Sequence, residues 1–77
     1  MKYVRLQEYD SIIIFPCIIN HSDFCQFLPV SAGFCYISEQ KIECFGESVS
    51  LKLKSDASDS KVATKQYCGI EAMIKML

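Results

Sequence analysis

Five cysteines and a single histidine are the side chains of this 77-residue chain best able to do chemistry, so their spacing is the first question. His21 and Cys25 stand four apart, a spacing that would put imidazole and thiol on one face of an α-helix. Such a pair could serve as base and nucleophile, or as two ligands of one metal ion. Neither chemistry is complete in the sequence. A tetrahedral site needs two further ligands from distant strands, and no C-x-x-C occurs. A catalytic thiol needs a lowered pKa, and Cys25 lies too far into its helix to gain much from the N-terminal dipole. The expected role of His21 is a helix-surface side chain facing water.

Cys35 and Cys44 belong to a mirrored stretch, GFCYISEQKIECFG, in which Gly33, Phe34, Cys35 and Ile37 are matched by Gly46, Phe45, Cys44 and Ile42. Two roles suit the pair: a redox-sensing cross-strand disulfide, or two small apolar side chains buried in a hairpin. Cysteine is among the most buried residue types, and in a reducing compartment packing is the expected role. Glu39, Glu43 and Glu47 fall on turns or solvated strand positions. Gly33, Gly46 and Gly69 form no phosphate-binding loop. No catalytic constellation emerges, so the expectation is a non-enzymatic protein with no metal and no cofactor.

The elements that must position these residues read as β-β-α-β-β-β-α. Residues 2–7 and 12–15 form a first hairpin around the turn-forming EYDS, ended by Pro16. Asn20 caps a short helix, HSDFCQFL, with Asp23 in its first turn and Phe24, Phe27 and Leu28 on one face. Residues 30–37 and 41–46 are strands flanking the polar SEQK. With the turn centred there, Phe34 opposes Phe45, Cys35 opposes Cys44 and Ile37 opposes Ile42. One face then carries Cys35, Ile37, Ile42 and Cys44, and the other carries Phe34, Tyr36, Glu43 and Phe45.

The alternation of SVSLKLK predicts a half-buried strand over 48–54, with Val49, Leu51 and Leu53 inward. SDASDS then leads into a C-terminal helix on which Ala63, Tyr67, Ile70, Ile74 and Leu77 form an apolar stripe, widened by Val62, Ala72 and Met73. Gly69 is a weak point within one continuous helix. The fold class is α+β: a small antiparallel sheet of about five strands, with the short helix and the C-terminal helix packed on one face.

Composition narrows the function. A chain of this length makes one domain with a thin stability margin, yet its 51% hydrophobic content supplies a real core. Eight basic and nine acidic residues, with no block of like charge, leave no footprint for nucleic acid or an anionic membrane. The longest apolar run, 12–19, is broken by Pro16 and too short to span a bilayer, and MKYVRLQEYD is not a signal peptide. A cytoplasmic location with reduced thiols is expected. The apolar excess for this length points to self-association or a protein partner.

VSAGFCYI, KIECFGESVSLKLKS and DSKVATKQ, together with the opening MKYVRLQEY, resemble small uncharacterised proteins encoded by phages and prophages. The shared signals are an S-A-G-F strand and a G-E-S-x-S-L segment, and the resemblance runs to about Gln66; the tail YCGIEAMIKML extends past it. It implies no activity and no catalytic residues. It does imply a setting in which short proteins bind and block host proteins, components of defence systems among them.

The expectation is therefore a protein–protein interaction module, homo-oligomeric or bound to a host protein. Its surface would be built on Phe34, Tyr36 and Phe45, with Tyr67, Ile70 and Ile74 of the C-terminal helix as second choice. The alternative is a thiol-based redox or metal-binding module using His21, Cys25, Cys35, Cys44 and Cys68.

Overall fold

The computed structural model describes residues 1–8 and 11–76, with side chains as far as Tyr67. Four strands, β1 (Lys2–Leu6), β2 (Ile12–Phe15), β3 (Pro29–Ile37) and β4 (Ile42–Phe45), form an antiparallel sheet in the order β2-β1-β3-β4. Two short strands, β5 (Glu47–Ser48) and β6 (Leu53–Lys54), pair as a separate hairpin, and α1 spans Asp59–Met76. The α+β class is as the sequence predicts, and α1 runs through Gly69 as one helix.

β1 lies inside the sheet and is apolar on both faces: Tyr3 and Val4, adjacent in sequence, are both fully buried. Each face therefore needs its own cover. On one side Ala63 of α1, with Val62 and Tyr67 beside it, packs on Tyr3, Ile12, Cys35 and Ile42. On the other, Phe24, Leu51 and Leu53 pack against Val4, Phe15 and Ala32. The IIIF run of β2 serves both, with Ile12 and Ile14 toward α1 and Ile13 and Phe15 away from it. The short helix and α1 thus lie on opposite faces. This corrects the expectation that both pack on one.

The short helix, His21–Phe27, is 3₁₀ rather than α. With three residues per turn, side chains at i and i+3 eclipse. His21, Phe24 and Phe27 therefore form one row, and His21 no longer shares a face with Cys25. His21 is accordingly 5% exposed, not a surface side chain. Its Nε2–H donates to the Gly33 carbonyl at 2.7 Å.

The predicted strand over 48–54 is instead a hairpin turn. The buried Ser48 accepts the Leu51 amide at 3.2 Å, and the Lys52 amide reaches the Val49 carbonyl at 3.3 Å. A serine hydroxyl bonding nearby backbone offers the chain an alternative to a ladder, and here it folds the alternating segment back on itself. Leu51 and Leu53 still turn inward, whereas Val49 at the tip is 82% exposed.

Candidate functional site

The β3–β4 register matches the mirrored sequence: Phe34 pairs with Phe45, Cys35 with Cys44, Tyr36 with Glu43 and Ile37 with Ile42. The glycines at its ends allow close approach of backbone. A Cβ on Gly33 would stand 2.3 Å from the Phe45 carbonyl oxygen, and Gly46 turns the chain at φ 78 against the Phe34 ring.

On the face away from α1, Phe34 is half-buried and stacks on Phe45 with ring centroids 6.3 Å apart. Tyr36 and Phe45 are 65% and 52% exposed, and Glu43 across from Tyr36 is held by Lys41 at 2.8 Å. The surface does not end at the hairpin. Phe34 meets His21 edge-on at 5.7 Å, His21 meets Phe15 at 5.5 Å, and Phe15 meets Phe24 at 4.6 Å. Phe27 continues the series from Phe24 at 6.4 Å. Six rings therefore run from exposed Phe45 to exposed Phe27 through a buried middle. Sequence reasoning found the Phe34–Phe45 end. It missed His21 and Phe15 as links, because the row depends on the 3₁₀ period.

The α1 face is closed in a different way. Ser60 Oγ accepts the Cys44 amide at 2.8 Å, and Thr64 Oγ1 accepts the Ile42 amide at 2.9 Å. The Thr64 hydroxyl returns a bond to the Ile42 carbonyl at 3.2 Å. At the opposite edge of the sheet, Gln66 Oε1 accepts the Ile12 amide at 2.9 Å while its Nε2 donates to the Ile12 carbonyl at 3.0 Å. One helix thus occupies outward-facing backbone groups of both edge strands, the groups through which sheets ordinarily recruit further strands. In the sequence Ser60 and Thr64, four apart on one helix face, read only as part of a solvated face.

A charged cluster anchors the start of α1. Fully buried Asp59 accepts from the Tyr3 hydroxyl, from Arg5 Nη1 at 2.9 Å and from the Asp56 amide at 2.9 Å. Burial opposes its ionisation, but bonds from Tyr3, the Asp56 amide and Arg5 outweigh it and hold its carboxyl below the usual range. Burial foremost, then the Asp59 hydrogen bond, raises the Tyr3 phenol.

Of the second-choice surface, Tyr67 points inward, packs beside the Tyr3–Ile12–Ala63 cluster and donates its hydroxyl to the Ile12 carbonyl. The side chains of Ile70 and Ile74, and that of Cys68, lie outside those described. Cys35 and Cys44 sit under α1, whereas His21 packs on the other face and Cys25 is exposed. Among the described residues no three His, Cys, Asp or Glu side chains converge to hold a metal ion. Burial pushes the Cys44 thiol up to about 12, with neighbouring Cys35 and Asp59 acting in the same direction, and burial raises Cys35 too.

Comparison with protein-family models, curated proteins and solved structures gives no match. Among the described residues no helix is long and apolar enough to cross a membrane.

Proposed function

We propose that this protein acts by non-enzymatic protein–protein contact through the Phe34–Tyr36–Phe45 face, as a cytoplasmic, phage-encoded modulator of a host protein. The carrying observation is the pair of large exposed aromatic side chains, Tyr36 and Phe45, beside a stacked Phe34 on the paired strands of one hairpin. Aromatic anchors of this kind dominate interface energetics, and a side chain already packed on one side loses little freedom on docking. Occupation of both sheet edges by α1 favours contact through a face over strand addition. The phage setting rests on the S-A-G-F and G-E-S-x-S-L resemblance. Self-association through the same face is the homo-oligomeric form of this reading.

Affinity capture from host lysate, paired with light scattering at micromolar concentration, tests it with Tyr36→Ser and Phe45→Ser as controls. The expected result is a captured protein, or a dimer, that both substitutions abolish while the chain stays folded, Phe45→Ser melting a few degrees lower for loss of its stack on Phe34. A strict monomer whose captured proteins are unaffected by either substitution overturns the reading.

A further inference from the structure

The mirrored cysteines play no part in that surface, yet the hydrogen bonding around them is specific. The Cys44 amide points away from β3, to Ser60, and the Cys35 amide points away from β4, to the Met1 carbonyl at 2.8 Å. Directly paired residues whose amides both point outward form a non-hydrogen-bonded pair, in which Cα atoms come to about 4.5 Å and side chains approach most closely. That separation lies within the range that a disulfide spans. Both side chains also share the α1 face, Cys35 buried and Cys44 half-buried under the first turn of the helix.

We propose that Cys35 and Cys44 are a modification site, which a small-molecule disulfide oxidises to a cross-strand disulfide behind the Phe34–Tyr36–Phe45 surface. The thiolate of half-buried Cys44 attacks one sulfur of the oxidant, forming a mixed disulfide and releasing one thiolate. The Cys35 thiolate then attacks Cys44 Sγ, closing the cross-link and releasing the second thiolate. The two cysteines together lose two protons and two electrons, and the oxidant is reduced to two thiols. Access comes from the Cys44 side, where the Ser60 hydroxyl holds the helix against β4. Burial keeps both thiols protonated, so the reaction is slow near neutrality and quickens as pH rises. The pair is reduced in a reducing cytoplasm and closes under sustained oxidation.

The test incubates the folded full-length chain with excess oxidised glutathione, blocks free thiols, and digests with trypsin and chymotrypsin. Tyr36 and Lys41 lie between the two cysteines and offer cleavage sites that separate Cys35 from Cys44, so only a disulfide keeps their fragments together. The expected result is a Cys35–Cys44 fragment that dithiothreitol splits, with glutathione adducts on exposed Cys17 and Cys25. Its formation should be about fivefold faster in Ser60→Ala, which loosens the helix over Cys44. Thermal unfolding of the cross-linked chain should rise by about 10 °C and return to the starting value on reduction. Recovery of Cys35 and Cys44 only as free thiols or separate adducts overturns the proposal, as does linkage of either to Cys17, Cys25 or Cys68. This readout needs no binding partner, so it stands or falls independently of the interaction surface.

Discussion

The Tyr3 hydroxyl donates to Asp59 Oδ2 with both side chains fully buried, joining the interior of the sheet to the first residue of α1. Arg5, two residues along the same strand, contributes the countercharge at 2.9 Å. Removing one partner of a buried, hydrogen-bonded charge pair leaves the other uncompensated, at a cost of about 3 kcal/mol. Asp59→Asn should therefore lower the urea midpoint sharply at pH 7. The pH dependence has a defined sign. The folded carboxyl titrates below its unfolded value of about 3.9, so its stabilisation is complete above that pH and lost as pH falls through the folded value. The gap between the native chain and Asp59→Asn should narrow in acid. A gap of constant size from pH 7 to pH 2 would show that the charge is not what matters.

Thr64 and Gln66, two residues apart, reach opposite edges of the sheet from opposite sides of one helical turn. Thr64→Val keeps the shape and removes the hydroxyl, leaving the Ile42 amide without its partner at a cost of about 1–3 kcal/mol. Hydrogen exchange is the local readout. The Ile42 amide should exchange much faster in Thr64→Val, and the Ile12 amide in Gln66→Ala, with little cross-effect between them. Equal acceleration at both edges in either variant would mean that the helix undocks as a unit.

Gly33 and Gly46 look equivalent in the mirrored sequence and are not equivalent in space. A Cβ on Gly33 meets backbone at 2.3 Å, which cannot move without the strand, whereas at Gly46 the nearest atom is the Phe34 ring at 3.2 Å. Gly33→Ala should cost about 3 kcal/mol. Gly46→Ala, limited by its φ of 78, should cost about 1–2 kcal/mol. Chemical denaturation of the two variants checks the order, and a reversal would contradict the close approach at Gly33.

Leu28 ends the 3₁₀ helix in the left-handed region, φ 54, with its side chain 68% exposed. Glycine is the usual residue at such a helix end. Leu28→Gly should raise stability by about 1 kcal/mol, near 5 °C in the melting temperature, since it relieves strain and uncovers little. A lower melting temperature would show that Leu28 makes packing contacts worth more than its strain.

What was legible in the sequence was whatever local pattern alone decides. The β3–β4 register could be read because like residues face one another about a polar turn, and the apolar stripe of α1 because Val62, Ala63 and Tyr67 recur with a helical period. The 48–54 segment misled because alternation is blind to a serine side chain that closes a turn on its own backbone. His21 misled because the residue with which it shares a face depends on three rather than 3.6 residues per turn. Ser60, Thr64 and Gln66 were invisible as edge covers. On a helix they look like a solvated face, and only the tertiary arrangement supplies the backbone groups that they bind.

The bonds that close the β2 edge join Ile12 to Gln66 and Tyr67, residues 54 and 55 positions further on. Such contacts cannot form until α1 has followed the sheet out of the ribosome. While α1 is still within the exit tunnel, β2 and β4 can pair with their neighbours, but their outer backbone groups face water and any other nascent chain nearby. Newly made copies therefore pass through a sticky interval that the finished molecule does not have. That interval closes only when α1 docks.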